Sequence, residues 1–219
     1  LTDNGTSAKE IFMSNTNNTA AKSKFNASTI IGLGLLTAIV VVMQFISMGL
    51  RFGTFSITLT LIPIVVGSAL YGWGSGAWLG FVFGVTVLLT GDANLFLAVN
   101  VPGTIITVVL KGTLAGLYAG LVYKLISKKN QIAAVIVSAI VAPVVNTGVF
   151  VLGSYVFFFD YLSGLAEGTN LFVFILVGLV GINFFIELGI NLVLNPAILQ
   201  IIRIGKKSLH ANKEVIKTK

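Results

Sequence analysis

Long apolar runs separated by short polar segments extend over most of the sequence. A helix that crosses a bilayer needs about 20 predominantly apolar residues, and most of the runs reach about that length. We therefore predict an all-α integral membrane protein, a bundle of six transmembrane helices. Prolines are expected to interrupt the second span at Pro63 and the fifth at Pro143. The predicted spans cover about residues 28–50, 56–71, 74–90, 101–124, 131–159 and 171–202.

The polar segments predict how the bundle is oriented. Residues 1–27 are rich in Asn, Thr, Ser and Lys and are predicted to form a disordered cytoplasmic tail. Residues 28–204 form the predicted membrane domain, and residues 205–219 a basic cytoplasmic tail. Six spans place both termini and the lysine-rich loop at 124–129 on one side, whereas the opposite loops also carry acidic residues. By the positive-inside rule, both termini are predicted to be cytoplasmic.

Composition agrees with a membrane protein and narrows the chemistry. Apolar residues make up 56% of the chain and charged residues 10%, against about 25% charged residues in soluble domains, and the mean hydropathy is +0.99. The net charge of +7 is not taken as a sign of nucleic-acid binding, because its distribution over the loops matters more in a membrane protein. With no cysteine, a disulfide framework and a thiolate metal site are excluded. No Walker, His-Glu-x-x-His or Gly-x-Ser-x-Gly motif occurs, so we predict no catalytic residues, no metal site and no cofactor.

Small residues recur four positions apart in three of the predicted spans. Residues four apart lie on one helical face, and a face of small residues lets another membrane helix approach closely. Packing inside the bundle explains most of these faces. They comprise Gly34 and Ala38 in the first span, Gly76, Gly80 and Gly84 in the third, and Gly112, Gly116 and Gly120 in the fourth.

Lys111 lies well inside the apolar fourth span. A lysine at the centre of a membrane helix costs at least about 2.5–3.5 kcal/mol. It is therefore expected to face a cavity or a partner, roughly 12 Å below the outer end of its helix. A structural lysine bonded to helix carbonyls or to Glu187 is the alternative. Counted along its own helix, Glu187 lies about 12 Å deeper than Lys111, and it is interpreted as structural, like Asn191 and Asn195.

Four further polar residues of the predicted spans and loops are candidates for contacts with a substrate. For Arg51, the alternative is a solvated arginine without a substrate contact. For the buried asparagines, hydrogen bonds between helices are the alternative, because a buried amide must be hydrogen-bonded to something. Together with Lys111, the candidate binding residues are Arg51, Asn100, Asn146 and Asn183.

Several of these segments occur together in one known family. Residues 57–72 and 76–84, Pro102 with residues 111–116, and Asn146 with Thr147 resemble the substrate-binding S components of energy-coupling factor (ECF) vitamin transporters. The resemblance covers about residues 30–202, and the second to fourth spans are most similar to the pantothenate-specific type.

The resemblance implies a division of labour between subunits. An S component binds a vitamin at the extracellular side of the bacterial plasma membrane, while a shared transmembrane coupling subunit and two cytoplasmic ATPases supply the energy. It also implies that Gly34 and Ala38 occupy the face that docks on the coupling subunit. A self-sufficient secondary transporter is the first alternative. A membrane enzyme or scaffold is the second, which the missing catalytic motifs disfavour.

The basic residues of the outer half favour an anionic vitamin. Arg51 and Lys111 are basic, and no carboxylate inside the membrane is expected at their depth. A cationic vitamin such as thiamine would need an acidic or aromatic cage. Pantothenate is therefore the predicted substrate, and folate is the alternative. Folate carries two carboxylates and would need a second deep cation.

Overall fold

The computed structural model describes residues 27–49, 51–52, 55–56 and 59–217, and this part is almost entirely helical. The predicted N-terminal tail lies outside it, apart from Ala27. In chain order, the elements are α1 (Ala27–Gly49), β1 (Arg51–Phe52), β2 (Phe55–Ser56), α2 (Leu61–Tyr71), α3 (Trp73–Leu89), α4 (Asn94–Leu97), α5 (Val101–Ile126), α6 (Gln131–Phe157), α7 (Phe159–Leu165), α8 (Leu171–Val173), a π-helix (Phe174–Gly181), α9 (Ile182–Val193) and α10 (Asn195–Lys217).

Among the described residues, three helices, α1, α5 and α6, are each long and apolar enough to cross a membrane. The bent pair Leu171–Gly181 and Asn183–Val193 makes a fourth candidate span, and α2 and α3 are shorter apolar helices. The chain is therefore a multi-pass membrane protein. Helix occurs in each of the six predicted spans, but the number of spans and the side of the termini stay predictions.

The second predicted span differs from the structure at its start. Ser56 belongs to β2, which pairs antiparallel with β1, and α2 begins only at Leu61. Pro63 consequently lies in the first turn of α2, where proline is tolerated because the first N–H groups of a helix have no partner within it. The expected interruption at Pro63 is wrong, whereas Pro143 does lie inside α6.

The glycine faces of α3 and α5 pack against each other. A Cβ atom added at Gly80 would collide with the carbonyl group of Gly112, and one added at Gly76 would collide with that of Gly116. The same holds in the reverse direction, from α5 to α3. The two backbones are in direct contact, so only glycine fits at these positions. We call these four residues the glycine seam, and they confirm the interpretation as internal packing.

The sixth predicted span is not one continuous α-helix. α8 leads into the π-helix, and the axis bends by 43° between Leu171–Gly181 and Asn183–Val193. π-Helical turns occur frequently at functional sites. α10 then starts at Asn195, with Pro196 in its first turn, and continues to Lys217, so most of the predicted basic tail is helical.

Within the described ranges, buried apolar side chains form three clusters. The first lies at one end of the bundle and includes Tyr123, Ile198 and Ile202. The second includes Phe83 and other side chains of α2, α3 and α5. The third includes Phe158 and residues of α7 and the π-helix. The candidate site lies between the second and third clusters.

Candidate functional site

A cavity of about 360 Å³ lies between the second and third clusters. This volume is within the range of roughly 300–1,000 Å³ that is typical of small-molecule sites. Its aromatic walls are formed by Phe83, Phe96, Phe150, Phe158 and Phe184. Its polar lining comprises Gln44, Asp92, Thr104, Thr107, Lys111, Asn146, Thr147, Asn183 and Glu187. Apolar walls with a few convergent polar groups suit a small polar molecule.

The polar face of α5 brings Lys111 into this cavity. Thr104, Thr107 and Lys111 are spaced three and four residues apart, so they share one helical face. The Nζ atom of Lys111 lies 5.2 Å from the ring centroid of Phe150 and 5.9 Å from that of Phe83. An ammonium group within about 6 Å of an aromatic ring is attracted by the ring quadrupole. The lysine therefore faces a cavity, as its position inside an apolar span predicts.

Glu187 lies in the same cavity as Lys111, which corrects the depth expected from the sequence. Its side chain is 6% exposed and lines the cavity together with Asn183 and Phe184. The expected separation assumed a straight helix, but the π-helix and the 43° bend intervene. The interpretation of Glu187 as a residue far below the lysine is wrong.

A hydrogen-bonded chain at the edge of the cavity was not predicted from the sequence. Nε2 of Gln44 donates a hydrogen bond to Oδ2 of Asp92, and Oγ1 of Thr60 donates one to Oε1 of Gln44 at 3.3 Å. Gln44 is 2% exposed and Thr60 is fully buried. The chain ties the loop between α3 and α4, which carries Asp92, to α1 and to the start of α2. Gln44 could have been noticed as the single amide in the apolar first span.

Two buried polar atoms of the cavity have no hydrogen-bond partner among the described residues. They are Oδ1 of Asn146 and Oγ1 of Thr107, on side chains that are 6% and 4% exposed. Buried polar groups are nearly always hydrogen-bonded, to protein, water or a ligand. Since Asn146 is on α6 and Thr107 on α5, the two facing walls of the cavity each offer a group for a bound molecule.

Asn100 lies outside the lining of the cavity and caps α5. Its Oδ1 accepts a hydrogen bond from the N–H of Gly103 at 2.9 Å, and its Nδ2 donates one to the carbonyl oxygen of Phe157 at 3.3 Å. Both ends of the amide are thus bonded within the protein, which favours a structural role over the predicted substrate contact. Asn183 lines the cavity. Arg51 belongs to β1, and its side chain lies outside the part of the chain that is described.

Gly34 and Ala38 lie on the exposed side of α1. A Cβ atom added at Gly34 would meet no atom of the described residues within 4 Å. A groove borders this face, and Nε1 of Trp78 donates a hydrogen bond across it to Oγ1 of Thr37 at 3.2 Å. The groove is lined by Ile30, Leu33, Gly34, Thr37 and Trp78. The face is accessible to a partner, and docking there stays a prediction.

Comparison with known proteins assigns the chain to a family. The model of the family "ECF transporter, substrate-specific component" matches residues 28–199. Among solved structures, ThiT from Listeria monocytogenes has a similar fold, with a TM-score of 0.58 and 20% sequence identity over 80% of this chain and 96% of that chain. At this identity the likeness concerns the fold alone, and no curated protein matches the sequence. The chain therefore belongs to the family of ECF transporter substrate-specific components.

Proposed function

We propose that the chain is the vitamin-binding S component of an ECF-type importer and that the vitamin binds in the cavity. The supporting observation is the convergence of Lys111, two carboxylates and two buried polar atoms, unpartnered among the described residues, inside an apolar bundle. Charged residues at membrane depth are costly and normally mark a substrate or ion site. Energy comes from a shared transmembrane coupling subunit and two cytoplasmic ATPases, in a bacterial plasma membrane with both termini of this chain on the cytoplasmic side.

Pantothenate is the substrate that we propose. It carries one carboxylate, two hydroxyl groups and one amide N–H. Its carboxylate pairs with Lys111 through a charge-assisted hydrogen bond, which is stronger than a neutral one. Its hydroxyl and amide groups donate to acceptors that line the cavity, namely Asp92, Glu187 and Oδ1 of Asn146.

The size of the cavity favours pantothenate over folate. A volume of about 360 Å³ lies near the lower end of the roughly 300–1,000 Å³ range of small-molecule sites. That space suits a small chain molecule better than a pterin with its glutamate. The second carboxylate of folate would also lie in a cavity that already contains Asp92 and Glu187, at a cost in like-charge repulsion.

A cationic vitamin is the second candidate, because the structure alters one premise of the prediction. No carboxylate was expected at the depth of Lys111, yet Asp92 and Glu187 both line the cavity together with five phenylalanines. The lining thus carries two formal negative charges and one positive charge. Carboxylates and aromatic faces are what a cation such as thiamine requires.

Calorimetry on the purified chain separates these candidates. We expect binding heat with pantothenate and none with thiamine or folate. Lys111→Ala should weaken pantothenate binding more than tenfold, because a hydrogen bond to a charged group contributes about 1.5–3 kcal/mol. If the chain binds thiamine and Glu187→Gln loses that binding, thiamine replaces pantothenate as the proposed vitamin. The proposed role as an S component is then unchanged. A folded chain that binds no vitamin would contradict the proposed function.

Transport separates an S component from a secondary transporter. Liposomes that contain only this chain are expected to bind radiolabelled pantothenate without accumulating it. Accumulation should require the coupling subunit, the two ATPases and ATP inside the liposomes. Accumulation by the chain alone, driven by an ion gradient, would support the secondary-transporter alternative instead.

A further inference from the structure

The last helix, α10, has three chemically different sides. Ile198 and Ile202 are fully buried and pack in the first cluster, with Gly205 against Leu70 one turn further. Ile201 and Ile204 are 50% and 62% exposed and lie on a neighbouring side. The third side is basic. A helix with one face on the bundle, one exposed apolar face and one basic face is typical of the boundary between lipid and water.

The basic side of α10 consists of Arg203, Lys206 and Lys207. These residues are three and four positions apart, so they share a face, and Arg203 and Lys207 are exposed. The Nζ atom of Lys206 lies 4.9 Å from the ring centroid of Tyr123, which holds the basic side against the end of α5. Lys124, the next residue of α5, is exposed, so a fourth cation lies at the same end of the bundle.

This region is at the end of the bundle opposite the cavity. Tyr123 is twelve residues beyond Lys111 on α5, which corresponds to roughly 18 Å along the helix. By the positive-inside rule, this lysine-rich end is cytoplasmic. The basic side therefore lies where the exposed isoleucines can enter the acyl region while the cations remain at the level of the lipid headgroups.

We propose that Arg203, Lys206, Lys207 and Lys124 bind the phosphate headgroup of an anionic phospholipid in the cytoplasmic leaflet. The proposal rests on the proposed orientation of the chain but not on the identity of its vitamin. A guanidinium group can donate two parallel hydrogen bonds to a phosphate, and ammonium groups add point charges around it. Ile201 and Ile204 contact the first acyl carbons of the same lipid.

Native mass spectrometry of the full chain in detergent tests this site. Phosphatidylglycerol is titrated against phosphatidylcholine, and the dissociation constant of the first bound lipid is measured. We expect tighter binding of phosphatidylglycerol, and its affinity should fall by roughly fivefold for each cation removed in the double variant Arg203→Gln with Lys207→Gln. Both side chains are exposed, so the variant should fold normally, which its vitamin binding checks.

The matched control removes the same charge elsewhere at the same end of the bundle. Lys128 and Lys129, in the turn between α5 and α6, are exposed, and Lys128→Gln with Lys129→Gln should leave phosphatidylglycerol binding unchanged. An equal loss of phosphatidylglycerol affinity in both double variants would contradict the proposed lipid site. The same holds if the unmodified chain shows no preference for phosphatidylglycerol. Unchanged lipid binding in the α10 variant together with lost copurification of the coupling subunit and ATPases also overturns it, in favour of an acidic protein surface as the partner.

Discussion

The glycine seam and the small face of α1 share a sequence pattern but have opposite surroundings. At Gly80 a Cβ atom would collide with the backbone of α5, whereas at Gly34 it would meet nothing within 4 Å in the part of the chain that the structure describes. Small residues four positions apart indicate that a helix can approach closely. The spacing alone does not say whether that helix belongs to the same chain. The seam has its complement in this chain, because glycines on α3 face glycines on α5.

The first way to test the comparison is to add the same methyl group to both regions. Gly80→Ala should destabilise the fold by at least about 1–3 kcal/mol, since overpacking forces two backbones apart. Gly34→Ala should leave stability unchanged or slightly higher, because alanine is the better helix former. Thermal unfolding in detergent measures both variants. Equal losses of stability would contradict the assignment of the two faces.

The second prediction enlarges the side chains on α1. Gly34→Leu with Ala38→Leu should abolish copurification with the coupling subunit, because two leucines prevent close approach of a partner helix. Vitamin binding by the isolated chain should change little, since neither residue lines the cavity. The matched control is Leu35→Ala on the same helix, which should assemble normally. Normal assembly of the double leucine variant would remove the docking claim.

The third prediction concerns the cavity, where, unlike in the glycine seam, a substitution should affect vitamin binding without lowering stability. Asn146→Leu keeps the approximate shape of the side chain and removes a buried oxygen that has no partner among the described residues. Binding of the vitamin should weaken by roughly five- to tenfold, the effect of losing one hydrogen bond of about 1–1.5 kcal/mol. Thermal stability should not fall, because the substitution also removes the cost of burying an oxygen that has no hydrogen bond. Reduced stability with unchanged affinity would make Asn146 structural.

The fourth and smallest prediction concerns Thr60, which touches the cavity only through Gln44. Thr60→Val removes the hydroxyl group that donates to Gln44 and retains the side-chain shape. Vitamin affinity should fall by only a few-fold, because a neutral hydrogen bond contributes about 0.5–1.5 kcal/mol. Calorimetry provides the measurement. A loss as large as that of Lys111→Ala would show that the Gln44–Asp92 contact governs binding as much as the lysine does.

Local sequence features predicted what depends on local structure. The apolar runs locate α1, α3, α5 and α6 closely, and the cost of a lysine in lipid indicated that Lys111 faces a cavity. The depth expected for Glu187 was wrong because a π-helix and a bend precede it. They change both its depth in the bundle and its rotation about the helix axis, and an apolar run predicts neither feature. The Gln44–Asp92 hydrogen bond joins residues 48 positions apart, so it depends on tertiary packing that no local pattern encodes.

Thiol labelling tests directly whether the small face of α1 is covered in the assembled transporter. The chain has no cysteine, so Ala38→Cys introduces a unique thiol on the exposed side of α1. A second single variant, Leu152→Cys, places the thiol on α6 at a position that is 67% exposed. We predict that a maleimide labels both variants in the free chain, but only Leu152→Cys in the purified complex with the coupling subunit and ATPases. Equal labelling of Ala38→Cys in the free chain and in the complex would contradict docking through the small face of α1.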